Sequence, residues 1–273
     1  MCVNLYNFKI DAGAEGRVFE RFSFWFDGQK IEDGPSCVIS ARKAGCMGLC
    51  AEAPASPSSN RRALFAALGV DEKKVYFAKQ IHSKNVIFVD ENAPNFTDGA
   101  DGFVSPPAGA GAGVFLAVTA ADCLPVMLLD VKTGAFAAVH SGWKGTGIAR
   151  RALNLMTQKC GSRPQDVAAV LGPCICGLCY QVDKSRFMAF NAEFGDIPRP
   201  FRVCGDVVHS VKNDEKEMFF IDIRAANAAM LAYSGVRNIA VCENCTYTDE
   251  NLGSFRREGA GAYTKMLAVC GRF

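Results

Sequence analysis

The chemistry of this chain turns on its scarcest residue: 273 positions hold only three histidines, and two of them lie near a cysteine in metal-ligand fashion. Cys123 sits in Ala121-Asp122-Cys123-Leu124-Pro125 and His140 in Val139-His140-Ser141-Gly142-Trp143. The segment between reads as one β-hairpin: an apolar run Leu124–Leu129, a turn Asp130–Gly134 and a second apolar run Ala135–Val139. A hairpin centred on Lys132 pairs residues whose numbers sum to about 264. Cys123 then lies opposite His140 or Ser141 at the open end. Opposed residues carry Cβ atoms roughly 4.5–5.5 Å apart, so a thiolate and an imidazole could share one ion. His82, in Gln80-Ile81-His82, would complete a set of two imidazoles and one thiolate, although nothing local places it there. Taken singly, each residue has a plainer reading, an inert buried thiol or a satisfied core imidazole.

Other residues could serve such a centre. Gly142-Trp143-Lys144-Gly145-Thr146-Gly147 follows the second strand and leads into a helix. Free amides at a helix start make an anion pocket, with Lys144 as a point charge; the alternative is a tight turn in which Thr146 caps the helix. The order of residues is not that of a Walker A loop. Asp122 points to the face opposite Cys123 if the strand includes it. If the strand begins at Leu124, its carboxylate could orient a ligand or relay a proton. Cys174, Cys176 and Cys179 form C-x-C-x-x-C, and Cys242 and Cys245 a C-x-x-C, which together could hold a second metal, although the spacing fits no standard four-cysteine template. His209 has no partner motif and reads as structural. No histidine is followed two residues on by Glu, so the zinc deaminase signature is absent. H-E-x-x-H is absent as well, and three imidazoles cannot supply a multicopper oxidase.

These residues need strand ends and loops to gather them. Strands are expected at 18–26, 36–41, 75–81, 85–89, 102–105, 114–118, 167–172 and 237–242, besides the hairpin. Helices are expected at 60–68, 146–159, 184–194 and 222–234, the last capped by Asp222 and stopped by Gly235. The proline- and glycine-rich stretch 106–113 reads as a long hairpin loop, and 54–60 as a second loop. Strands outnumber helices, which argues for an α+β fold with mixed sheets in a single domain over 1–273, not a doubly wound parallel sheet. A net charge of +2 and the absence of basic blocks argue against nucleic acid or anionic membrane as partners. No apolar stretch reaches the roughly 18 residues of a spanning helix, and the start Met1-Cys2-Val3-Asn4 has no signal-peptide pattern. A cytoplasmic protein is expected, its thirteen cysteines reduced or metal-bound.

Four segments together resemble the YfiH-type family: Gln80-Ile81-His82-Ser83-Lys84-Asn85-Val86, Thr119-Ala120-Ala121-Asp122-Cys123-Leu124-Pro125-Val126, Val139-His140-Ser141-Gly142-Trp143-Lys144-Gly145-Thr146 and Leu171-Gly172-Pro173-Cys174-Ile175. Cys245-Thr246 and Ser254-Phe255-Arg256-Arg257-Glu258-Gly259 match too, so the likeness runs from about residue 36 to 270. That family has been called multicopper polyphenol oxidase, or laccase-like, and is described as purine nucleoside phosphorylase. The resemblance implies an αββα-layered domain with zinc held by His82, Cys123 and His140. It implies phosphorolysis of adenosine, inosine and methylthioadenosine, and hydrolytic deamination of adenosine. Small nucleosides and phosphate are then the partners, with Arg42, Lys144 and Arg256 as candidates for binding them and Asp122 as a catalytic candidate. The chain departs from the family pattern at Ala41-Arg42-Lys43-Ala44-Gly45-Cys46 and at Gly261-Ala262-Tyr263, both on the phosphate side. Three protein ligands leave one zinc position open, suited to activating water. Two other enzymes remain open on the same residues: a cysteine hydrolase acting on cell-wall peptides, with Cys123 as nucleophile and His140 as base, and a copper-dependent polyphenol oxidase, since a His₂Cys set resembles blue-copper ligation. A metal-binding protein without catalysis is the fourth.

Overall fold

Strand alternation sorts the apolar residues onto two faces, and the faces explain the layers. The computed structural model describes residues 3–48, 57–109, 113–197, 206–212 and 217–273. A seven-stranded mixed sheet runs in the order Asn4–Phe8, Asn238–Cys242, Val167–Leu171, Leu124–Asp130, Phe136–Ser141, Gly102–Val104, Val86–Phe88. A six-stranded sheet runs Phe19–Phe22, Ser36–Ser40, Met266–Gly271, Phe115–Ala120, Val75–Lys79, Phe96–Asp98. Met127, Leu129, Ala138 and Val170 of the first meet Ile39, Leu116, Val118 and Cys270 of the second, forming the core between sheets. The alternate residues Val126, Leu128, Val139 and Leu171 face outward onto helices Ile148–Cys160 and Ile223–Tyr233. On the far side Val38, Ala117, Leu267 and Val269 pack on Leu64, Phe65 and Leu68 of helix Pro57–Leu68. The result is the αββα layering, with strands buried on both faces and therefore almost wholly apolar. A three-stranded sheet of Gln181–Val182, Glu217–Ile221 and Val208–Lys212 stands apart from the two large ones.

The hairpin forms as expected but one residue further along than its centre suggested: Pro125 faces His140 and Leu124 faces Ser141. Cys123 thus lies beyond the last pair, diagonal to His140 on the same face. Of the stretch 106–113, residues 110–112 lie outside the described residues, and the strands flanking it do not pair as a hairpin. Gly102–Val104 pairs with Phe136–Ser141, whereas Phe115–Ala120 belongs to the other sheet, so the connection crosses between layers. Two buried apolar strands flanking a glycine-rich stretch carry no signal of which sheet each joins. Of the loop at 54–60, residues 54–56 lie outside the described residues, and 57–60 form the first turn of a helix led by Pro57, where proline needs no amide partner. Asp222 caps its helix as expected, accepting from the Ala225 amide at 2.9 Å. Among the described residues no helix is long and apolar enough to cross a membrane.

Candidate metal centre

His82, Cys123 and His140 reach one point from three different strand ends, with donor atoms all within 4.8 Å of one another. His82 is delivered by Gln80, which clips the end of strand Val75–Lys79 to strand Phe115–Ala120. Its Oε1 accepts from the Thr119 amide (2.7 Å) and hydroxyl (2.9 Å), and its Nε2 donates to the Thr119 carbonyl (2.8 Å). Beyond it the chain turns tightly, with His82 in the left-handed region at φ 59°, uncommon for a residue with a side chain. The turn is held by Asp101, which sequence reasoning did not single out. The amides of Ile81 (3.3 Å), His82 (3.0 Å) and Ser83 (2.7 Å) and the Ser83 hydroxyl (2.7 Å) all donate to its carboxylate. The same carboxylate lies 3.0 Å from His140 Nδ1. One buried acid therefore places one histidine through its backbone and the other through its ring, and leaves His140 Nε2 to face an ion. The two imidazoles stand edge to face, 4.9 Å between centroids.

Gly142, directly after the strand, makes the approach possible. A Cβ there would stand 3.0 Å from both Cys123 Sγ and His82 Cδ2. Electrostatics tune the same groups. Burial would raise the Asp101 carboxyl, but the bonds from His140 and Ser83 outweigh it and hold it at about 2. Burial would likewise raise the Cys123 thiol, yet His140 and His82 bring it down to about 6. Burial opposes charge on His140, while Cys123 and Asp101 raise it to about 9. Without an ion these groups form a thiolate–imidazolium pair; an ion would displace the imidazolium proton.

Asp122 lies in a bend, left-handed at φ 80°, before a strand that begins at Leu124. Both its oxygens are engaged: Oδ1 accepts from Thr246 Oγ1 (2.7 Å) and Oδ2 from the Arg256 amide (2.6 Å). It positions the C-terminal arm, and the role of orienting a histidine belongs to Asp101. Arg256 extends from that bond over Tyr180, 5.5 Å from the ring, with Nη1 on the Gln181 carbonyl at 2.8 Å. Arg186 and Lys144 both lie on the Trp143 ring, at 4.7 and 5.5 Å. Burial first, and then the Cys123 charge, push the Tyr180 phenol up to about 12 against the pull of Arg186 and Arg256, which puts Tyr180 within electrostatic reach of all three. Arg186, Arg256, Lys184 and Phe219 line a cavity of about 550 Å³, a size suited to a small ligand. Sequence reasoning missed Tyr180 and Arg186; only the three-dimensional packing joins them to the site.

Arg42 goes elsewhere. It meets the carbonyls of Glu250 and Asn251 and the Glu258 carboxylate (3.4 Å), in a second cavity of about 380 Å³ with Arg257 and Ala262. Thr146 does not cap the following helix. Its hydroxyl donates to the Gly142 carbonyl at 2.9 Å, and the helix starts at Ile148 behind a left-handed Gly147. His209 stacks on Phe220 at 4.8 Å within the small sheet. Two imidazoles are therefore all that the centre has, too few for a multicopper relay; the set fits a single ion with three protein ligands.

A family model described as multi-copper polyphenol oxidoreductase laccase matches residues 45–272. The chain is 33% identical to the purine nucleoside phosphorylase of Deinococcus radiodurans over 220 residues, 80% of this chain and 78% of that protein. It is 30% identical to adenosine deaminase RL5, from an unknown prokaryotic organism, over 212 residues, 73% of this chain and 76% of that one. Among solved structures, YlmD of Geobacillus stearothermophilus superposes with a TM-score of 0.75 at 25% identity, covering 88% of this chain and 92% of that chain. Bacillus licheniformis YfiH gives 0.74 at 24% identity, covering 88% and 93%, a likeness of fold. With its layers, its His82/Cys123/His140 group and these matches in agreement, the chain belongs to the multi-copper polyphenol oxidoreductase laccase family, the YfiH family.

Proposed function

We propose that the chain is a zinc-dependent purine nucleoside enzyme that phosphorolyses adenosine, inosine and methylthioadenosine and hydrolytically deaminates adenosine. The observation that carries this reading is the convergence of His82, Cys123 and His140 under the control of Asp101. The names of the Deinococcus radiodurans and RL5 relatives support the two activities. Zinc suits a borderline donor set of two nitrogens and one sulfur, and when bound would polarise whatever occupies its open position and make water there a better nucleophile. The remaining work falls to the chain. Arg256 and Arg186 present forked donors matched to phosphate oxygens, with Lys144 as an exposed point charge. Trp143 and Tyr180 offer ring faces for a purine. The Tyr180 phenol stays protonated at neutral pH and can donate a hydrogen bond to a substrate oxygen. Asp122 contributes by fixing the Arg256 backbone.

Metal analysis of the purified protein, paired with adenosine turnover with and without phosphate, tests the reading. Ribose 1-phosphate formed only with phosphate marks phosphorolysis, and inosine formed without it marks deamination. Stoichiometric zinc with no conversion in either case refutes it. One observation favours a second reading, a cysteine hydrolase acting on cell-wall peptides. Asp101, His140 and Cys123 stand in the acid–imidazole–thiol order of a nucleophilic triad. Iodoacetamide decides between them: zinc that shields Cys123 from alkylation supports the metal enzyme, whereas peptide cleavage by metal-free protein, abolished on alkylating Cys123, supports the hydrolase.

A further inference from the structure

The cysteines of the C-x-C-x-x-C and C-x-x-C segments do not group as their spacing suggests. Cys174 is fully buried, with Arg224 Nε donating to its sulfur at 3.4 Å, and Cys242 is buried with its thiol on Asn244 Oδ1 at 3.5 Å. The sulfurs that meet are those of Cys176, Cys179 and Cys245, all within 4.8 Å of one another. Two loops are stitched together to achieve this. Cys174 and Cys245 form an isolated parallel β-bridge, with the Thr246 amide donating to the Cys174 carbonyl at 3.1 Å. The amides of Cys179 (3.0 Å) and Tyr180 (2.9 Å) then return to the Cys176 carbonyl, folding the C-x-x-C into a turn that turns both thiols to one side. The Cys176 amide donates to Cys245 Sγ at 3.3 Å, the kind of bond that favours a thiolate. Cys176 and Cys179 are half-buried and Cys245 is 8% exposed, so the group has an open side.

We propose that Cys176, Cys179 and Cys245 form a second metal site, a three-thiolate seat for zinc with its fourth position open to solvent. Tetrahedral zinc with Zn–S bonds near 2.3 Å sets its sulfurs about 3.8 Å apart, so the thiols need to close by no more than a rotamer adjustment. Three Zn–S bonds form, each remaining S–H proton passes to solvent, and no group changes oxidation state. The site staples the Cys174–Tyr180 loop to the arm that carries Thr246 and Arg256. It is independent of the reading of the first centre.

The test begins with metal analysis of the full chain after growth in zinc. Two zinc ions are expected per wild-type chain, one in a His82→Ala/His140→Ala variant, and one in Cys179→Ser, which changes a half-buried position and spares the fold. Cobalt loading gives a second readout that needs no cysteine substitution. The histidine variant should show a sulfur-to-cobalt band about threefold stronger, per cobalt, than Cys179→Ser/Cys176→Ser protein, where Cys245 has lost both partner thiols and the remaining cobalt, at the first centre, has Cys123 as its one thiolate. A histidine variant that binds neither zinc nor cobalt overturns the proposal. So does a Cys176–Cys179 disulfide in the freshly isolated wild type, or equal zinc content in wild type and Cys179→Ser.

Discussion

Among the described residues stand two groups of three metal-ligating side chains built on different principles, and the contrast shows where precision comes from. His82, Cys123 and His140 hang from the ends of paired strands, and a single buried carboxylate, Asp101, bonds three successive amides and one ring to fix them. Cys176, Cys179 and Cys245 hang from loops joined by one isolated bridge, supported by turn amides on the Cys176 carbonyl and by one backbone N–H on sulfur. The first is tied in place by the chain's own hydrogen bonds; the second, on the proposal above, would draw part of its order from its ligand. Preorganised centres suit catalysis and ligand-ordered ones suit bracing.

The sharpest way to break this contrast is at the first centre. Cys123→Ala should remove one metal per chain and abolish nucleoside turnover while leaving the fold intact, as read by metal analysis and circular dichroism; retained turnover would separate catalysis from the centre. Asp101→Asn keeps every ligand yet unties two of them, and should weaken zinc by roughly 10–100-fold in a chelator competition. If it behaves like wild type, the claim of rigidity fails. Acid supplies a third probe of the same carboxylate in the metal-free protein. Its pKa is lowered in the fold, so the stability it contributes is present above about pH 4 and lost as the pH falls towards about 2. Wild type and Asp101→Asn should therefore differ in melting temperature near neutrality and converge in acid. Arg256→Ala should raise the KM for phosphate by about tenfold, the scale of one charged hydrogen bond, and leave deamination unchanged. The mildest change is Thr246→Val, which removes one hydrogen bond to Asp122 and should cost about 1 kcal/mol by thermal melt.

Much of this was legible in the sequence because the informative signals were local. The hairpin announced itself through two apolar runs about a polar turn, which brought Cys123 beside His140, and Asp222 marked its helix by capping chemistry. What stayed hidden depends on partners distant in the chain. Asp101 sits in an ordinary Ala-Asp-Gly stretch, and its importance appears only when strand Gly102–Val104 is laid against strand Phe136–Ser141. The cysteine group exchanges Cys174 for Cys245, a swap set by a bridge across 71 positions that no spacing rule encodes. Which sheet each strand flanking 106–113 joins is hidden for the same reason, since pairing partners are chosen by the whole core.

Asp122 has a consequence of its own. Its carbonyl receives the Ile175 amide at 3.0 Å, its carboxylate grips Thr246 and Arg256, and its neighbour in sequence is Cys123. A single residue thus ties together three distant stretches of chain beside Cys123. Losing the bonds from Thr246 and the Arg256 amide would strip that carboxylate of both partners without touching the bonds by which Asp101 seats the histidines, so these two residues act as a keystone for a doorway whose pillars come from elsewhere.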